Sequence, residues 1–527
     1  MTLASISAPE RLESRLGTLE FTDGVPSAKT AEAAYDQLDF VHGLNAYLNG
    51  FPGASTQAMR KGFHEAGVED NAVLIFSELM GSESLFLTAN ADTVYFLSFI
   101  DLASGPMVLE TPPLALALID DMWFQWIVDF GLPGYDRGEG GRLLLVPPGY
   151  DGSLPDSGLY VRHSRTTRAL VLGRSFINEN PGQDPAPTVE LIKRTLKIYP
   201  YAQGGWGTPI GTLLEGHVQP DLKPNGQPNL MPAEIPETKF VEGSGKAFNT
   251  IPPSDFGFFE MLNELVQDEP ADSNSNIELM GDLAAIGIVK GKPFKPDKRM
   301  RGILEDAAAV GSAASRTLTF DARESEGFAY YDGSAWGLPL WVGGYSFETP
   351  PPLVTKEGIK PLPATGARTL NARTGFFYTY TGITPAMCMR LTGIGSQYIV
   401  AFKDSNGDAF DGAKSYQVKL PPDIPAARFW SLTLYDNQTR SMLQTPQRFP
   451  RAGSQEYPTP AASADDDGST TIVIGPERPA DTPEGNWIQT TEGKGFFAIL
   501  RFYSPLESYF DKTWRPSEIE PSNPDAN

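Results

Sequence analysis

Cysteine and histidine are nearly missing from this chain. One cysteine, Cys388, occurs in 527 residues, so no intrachain disulfide can form and cysteine pairing has no part in the fold. Its neighbours, Ala386, Met387 and Met389, are apolar, which suits a small buried hydrophobe better than a nucleophile. The four histidines, His42, His64, His163 and His217, would have to converge from distant segments to build a metal centre. No metal and no cofactor is therefore expected.

Long apolar runs are also lacking. No window reaches the ~18 residues that a membrane-spanning helix needs. Met1 to Glu10 has neither the basic stretch nor the apolar stretch of a secretory signal, so the expected location is the cytoplasm. Positive charge is scarce: 42 Lys and Arg stand against 65 Asp and Glu, for a net charge of −23. Repulsion from phosphate argues against nucleic acid and against an anionic membrane surface. High negative charge otherwise serves solubility.

Several catalytic signatures are absent as well. There is no Gly-x-Ser-x-Gly elbow. The Gly-Lys pairs at 245–246, 291–292 and 493–494 are followed by Ala, Pro or Gly, so none is a phosphate-binding loop. His64-Glu65 begins like a zinc-protease motif, but Val68 stands where the second histidine belongs. Gly393-Ile394-Gly395 lacks the third glycine of a dinucleotide fingerprint. Asp404, Asn406 and Asp408 have the spacing of a calcium loop, yet Ala409 and Ser415 occupy the positions that need Gly and Glu. A hairpin turn is the simpler account, and Asp465 to Gly468 reads the same way.

What the chain has in excess is turn residues. The 52 glycines and 46 prolines make up roughly 19% of it, against about 12% on average. They divide the sequence into short apolar runs. The most patterned stretch of the first half is Asn90-Ala-Asp-Thr-Val-Tyr-Phe-Leu-Ser-Phe-Ile-Asp101, broken at Gly105-Pro106 and followed by Met107 to Glu110. It reads as strand, turn, strand, with Asn90, Asp92 and Tyr95 near the mouth of the first. Further runs at Met122–Phe130, Arg142–Val146, Gly158–Arg162 and Ala169–Leu172 suggest an antiparallel sandwich. Helical spacing is found at Ala28–Leu48, closed by Asn49-Gly50 and Pro52-Gly53, then again at Ser55–Ala66. Thr188–Ile198, Asp255–Val266, Asn276–Ile286 and Asp297–Ser315 are also helical. Strands return at Gln397–Lys403, Ser415–Leu420, Ala427–Tyr435, Thr470–Ile474 and Gly495–Tyr503.

The Asn90–Tyr95 motif with Asp101-Leu102 and Pro106 resembles the first module of a two-module family, the domains of unknown function 1254 and 1214. Asp404–Gly412, Tyr416, Pro421-Pro422, Phe429 to Asp436, Asp467-Gly468, Asn486-Trp487 and Leu500 to Pro505 resemble the second. The resemblance implies two β-sandwich modules of jelly-roll type and no particular activity. Members often carry export signals, from which this chain departs.

The expected architecture is mainly β with a helical section, an α+β chain of two jelly-roll-like β-sandwich modules joined by helices and long loops. Its parts are an N-terminal helical segment (1–84), a first module (85–187), a helical connecting section (188–329), a second module (330–516) and a disordered tail (517–527). The chemistry left is that of carboxylates, tyrosines, tryptophans and arginines. Asp92 is the candidate general base, with Tyr95 and Arg501 as polarising groups. Asn90, Trp430, Tyr435, Tyr503 and His163, which follows a strand, are candidate substrate contacts. Against this stands a structural reading: Asn90 and Asp92 cap amides at a turn, Tyr95 packs beneath, and the aromatic residues are core. The functional expectation is cofactor-independent hydrolysis or elimination on a small organic substrate in a cleft between the modules. The alternative is a non-catalytic glycan- or ligand-binding protein, or an assembly-forming capsid-like one. A homo-oligomer is compatible with either.

Overall fold

In the computed structural model, the described residues are 7–155, 158–201, 236–323, 328–338, 344–349, 353–355, 358–360 and 366–522. The chain is a mixture of α and β with no closed barrel among them.

Two pairs of sheets form the frame. In the first pair, a six-stranded sheet runs in the order Phe240–Glu242, Val73–Ile75, Val94–Asp101, Arg168–Ser175, Ala115–Asp121, Trp126–Gly131. Its companion has four strands, Tyr160–His163, Arg142–Val146, Met107–Glu110 and Lys197–Pro200. Strand alternation explains how they meet. Val94, Phe96 and Ile100 point into a buried cluster shared with Met107, Leu109, Leu143 and Leu145 of the companion sheet. Tyr95, Leu97 and Phe99 point the other way, into a second cluster.

The second pair repeats this logic. Trp336–Gly337, Ser396–Ala401, Gly495–Pro505, Ala426–Asp436 and Arg451–Gly453 lie side by side, and Phe410–Asp411 also pairs with Gly495–Pro505. Leu432, Leu434, Ala498, Leu500 and Phe502 face a four-stranded sheet through Tyr416, Val418, Ile472 and Ile474. Val400, Tyr435, Phe497 and Ile499 face out of this pair, into the cluster that also holds Tyr95, Leu97 and Phe99. The outer faces of the two larger sheets thus share one interior with the helices.

Three expectations change. Residues 1–84 are not purely helical, because Arg11–Ser14, Gly17–Thr22 and Val25–Pro26 form a three-stranded ribbon. The two short helices expected around Pro52 are one helix, Ala28–Glu65, started by Ser27, whose side chain caps Thr30 N. Pro52 cannot donate to the carbonyl of Leu48, and the Thr374 hydroxyl donates to that carbonyl instead at 3.1 Å. Gly50 and Gly53, which read as helix breakers, are close-approach residues. A Cβ on Gly53 would lie 2.5 Å from the Trp123 ring, and one on Gly50 would lie 2.7 Å from Leu262. Finally, the tail expected to be disordered is ordered as far as Ser522. Glu520–Ser522 pairs with Ser415–Gln417 at the edge of the second four-stranded sheet, because Ile519 is buried in that module's core. Residues 523–527 lie outside the described set.

The connecting section is helical at Ala186–Thr195, Gly257–Asp268, Ile277–Ala285 and Lys298–Phe320. Asn276 and Asp297 cap the last two through their side chains. The same section also lends Lys197–Pro200 and Phe240–Glu242 to the first pair of sheets. No helix among the described residues is long and apolar enough to cross a membrane.

Candidate functional site

The Asn90 stretch enters its strand through a knot of polar contacts. The Asn90 side-chain carbonyl accepts from Asp92 N at 2.9 Å and from the Thr93 hydroxyl at 3.0 Å, while its amide donates to the Tyr95 phenol oxygen at 2.8 Å. Asp92 is fully buried. Its carboxylate lies 2.8 Å from Arg451 Nε, an ion pair with both side chains sealed from solvent. It is a close charge contact without hydrogen-bond alignment, since neither of these two atoms has a hydrogen-bond partner. The other oxygen accepts from Ser431 at 2.6 Å and from the Tyr503 phenol at 2.9 Å. Gln455 donates to the Asp92 carbonyl at 3.1 Å. Arg451, Ser431, Tyr503 and Gln455 all come from the second module. Asp92 is therefore the pin between the modules and is closed off from substrate, contrary to its expected role as general base.

The open space lies on the other side of Tyr95. A cavity of about 140 Å³ sits where the outer faces of the two large sheets meet, with walls made mostly of apolar side chains such as Met59, Leu97, Leu118 and Met387. Its polar wall is built from two cross-strand pairs, one per module. In the first sheet Tyr95 lies opposite Arg174, and in the second Tyr398 lies opposite Arg501. All four line the cavity. Arg174 Nη2 reaches across the modules to the Tyr398 phenol oxygen at 2.8 Å and to Ser396 Oγ at 2.6 Å. Arg501 lies over the Tyr398 ring at 5.3 Å and donates through Nη2 to the Thr88 carbonyl at 2.7 Å. Thr88 has a left-handed backbone, φ 44°, and its amide and hydroxyl are bonded to Arg440 and Thr379 carbonyls.

The electrostatics follow from this packing. Burial raises the Tyr95 phenol, only partly offset by Arg174 and Arg501. Burial also acts to raise Tyr398, but the two guanidiniums together with the Ser396 and Arg174 hydrogen bonds outweigh it and hold this phenol below its ordinary value. Tyr398 is thus the tyrosine on the cavity wall whose proton is loosened.

One further wall is the segment from Tyr380 to Leu391, which contributes Tyr380, Thr384, Met387 and Leu391. Two carboxylates of the first sheet hold it. Ile383 N donates to Asp120 Oδ2 at 2.9 Å, and the Thr384 hydroxyl donates to Asp129 at 2.6 Å. Burial pushes the Asp129 carboxyl up to about 6, against the pull of Thr384, and pushes the fully buried Asp120 well above the usual carboxylate range.

The remaining expected residues are placed as follows. Tyr95 and Arg501 line the cavity, and Asn90 is a turn cap beneath it. Tyr503 is spent on Asp92. Tyr435 is buried below Arg501, with its phenol donating to the Ala89 carbonyl at 2.6 Å. Trp430 faces the core of the second pair of sheets. These rings are interior, so they make no open aromatic strip for a glycan. His163 is exposed at the end of an edge strand, away from the cavity lining. The Asp404 turn closes on itself, its side chain accepting from Asn406 N and Asp408 N. Among the described residues, no group of three or more His, Cys, Asp or Glu side chains could hold a metal ion. Arg174 and Tyr398 were missed. Arg174 is a charge in line with Leu170 and Leu172 on one face of its strand, whereas Tyr398 carries no local signal.

The family described as Protein of unknown function (DUF1254) matches residues 71–200, and Protein of unknown function (DUF1214) matches 395–507. The two matches stand in the order of the two-module arrangement expected from the sequence. The first match contains Asp92, Tyr95 and Arg174, and the second contains Tyr398, Arg451 and Arg501. No curated protein matches the chain. Among solved structures, the VPA0106 protein from Vibrio parahaemolyticus is similar at 16% identity and a TM-score of 0.49, over 92% of this chain and all of that one. An uncharacterized protein from Burkholderia cenocepacia is similar at 11% identity and a TM-score of 0.36, over 94% of this chain and 98% of its own.

Proposed function

We propose that this DUF1254–DUF1214 protein is an enzyme that eliminates a leaving group from a small organic substrate held in the cavity between its modules. The observation that carries this reading is Tyr398, a cavity-lining phenol bonded by Arg174 and overlain by Arg501. A phenol loosened by two cations serves as a general base nearer to neutral pH than a free tyrosine does. Tyr398 takes the proton from a carbon next to a carbonyl or carboxyl group. The C–H electron pair forms the double bond, and the leaving group departs from the neighbouring carbon with its own pair. Arg501 stabilises the charge that develops on the substrate oxygens, and Tyr95, whose phenol burial raises, returns a proton to the leaving group in this reading. Elimination is favoured over hydrolysis because it needs a base and an anion-stabilising group but no held nucleophile. The apolar walls accept the body of the substrate and raise the strength of these interactions.

The test uses a panel of small carbonyl and carboxyl compounds with a leaving group one carbon beyond the acidic C–H, followed by NMR in heavy water. A substrate should lose its leaving group and exchange its acidic proton. Tyr398→Phe should lower kcat by roughly 10²–10⁴-fold with KM changed only a few-fold. Unaltered turnover in a folded Tyr398→Phe variant contradicts the proposal.

A further inference from the structure

No carboxylate of the cavity wall is paired with its two arginines: Asp129, which also lines the cavity, accepts from Thr384 instead. Arg501 is 3% exposed, and its Nη1 has no hydrogen-bond partner among the described residues. The carboxylate it senses through space is Asp92, which is already paired with Arg451. Arg174 is engaged by hydroxyl groups, Ser396 and Tyr398, rather than by a carboxylate. A buried guanidinium with an unused donor is costly unless something completes it. Both arginines border the same cavity, and the rest of that cavity is largely apolar.

From this we infer that the cavity takes a small monocarboxylate, its carboxylate drawn to the wall that holds the Arg174 and Arg501 guanidiniums, its body among Met59, Leu97, Leu118 and Met387. The two oxygens of a carboxylate match two guanidiniums on one wall. The volume sets the size of the body: an apolar cavity of about 150 Å³ holds a benzene ring, so this one suits a six-carbon chain or a single ring. The inference deepens the proposed function by naming the substrate class of the same site, but it does not depend on which bond is broken.

Calorimetric titration of the full chain separates the two claims. The probes are hexanoate and benzoate, their amides, and hexyl phosphate. The carboxylates should bind at least tenfold more tightly than the amides. Arg501→Gln should lose at least tenfold in carboxylate affinity while leaving amide binding within a few-fold. Arg174→Gln should act in the same direction, and it guards against a variant in which loss of the Thr88 contact disturbs folding; urea midpoints identify that case. Equal binding of acids and amides, tighter binding of hexyl phosphate, no saturable binding of either acid up to about 10 mM, or full carboxylate affinity in both arginine variants would each overturn the inference. Carboxylate binding without any elimination or proton exchange would leave the ligand class standing and remove the proposed chemistry.

Discussion

Asp92 takes a negative charge to a place closed to solvent, so its energetic role depends on what surrounds it. Arg451, Ser431 and Tyr503 complete its carboxylate. Removing one member of a buried ion pair leaves the other uncompensated, at a cost of about 3–5 kcal/mol. Asp92→Asn keeps the size and much of the hydrogen bonding but strands Arg451, so its urea midpoint should fall by that equivalent. Adding Arg451→Met should restore much of the loss. A midpoint for Asp92→Asn equal to that of the parent would contradict the pin between modules. Loss of activity in Asp92→Asn alone therefore says little about a catalytic base. At this scale the sequence was half legible. The capping role of Asn90 followed from its position before a strand, and Arg501 was named as a polarising group. Arg174 lay two residues beyond the apolar run recognised as Ala169–Leu172, and Tyr398 looked like any strand aromatic. Nothing local distinguishes a strand face that meets another module from one that meets its own core.

At the scale of elements, the same residue types have opposite meanings in different surroundings. Pro52 and its flanking glycines looked like helix ends because their local propensities are those of breakers. Tertiary contacts reverse that reading: Thr374 completes the freed carbonyl, and the missing side chains admit Leu262 and Trp123. The Tyr380–Leu391 segment shows the electrostatic counterpart. Asp129 is held near 6 in the folded chain, against about 3.9 when free. Between roughly pH 4 and 6 the folded state keeps a proton that the unfolded chain has lost, so this group's stabilisation is complete below pH 4 and declines as pH rises through 6. Asp121, which burial pushes up to about 7, acts with the same sign. Asp129→Asn should remove up to about 3 kcal/mol of that decline while still accepting from Thr384. Urea titrations across this pH range check it; a decline as steep as that of the parent would show that Asp129 is not held protonated by its burial.

At the scale of the whole molecule, composition and turn spacing were sufficient for an α+β chain with two strand-rich modules. They also located the helices between them, because periodicity and capping residues are local signals. The meeting of the modules was not legible, since it depends on which face of each large sheet is left outside its own sandwich. That choice places Tyr95 with Arg174 and Tyr398 with Arg501 across one cavity, each pair contributed by a different module. The central claim is that the two guanidiniums converge on one phenol. Titration of the protein labelled at tyrosine Cζ, followed by carbon NMR, tests this most directly. The account predicts one resonance titrating below the ordinary tyrosine value near 10, lost in Tyr398→Phe and moved upward in Arg174→Gln. If every tyrosine titrates at or above that value, the two arginines do not act together on Tyr398 and the account of the site is wrong.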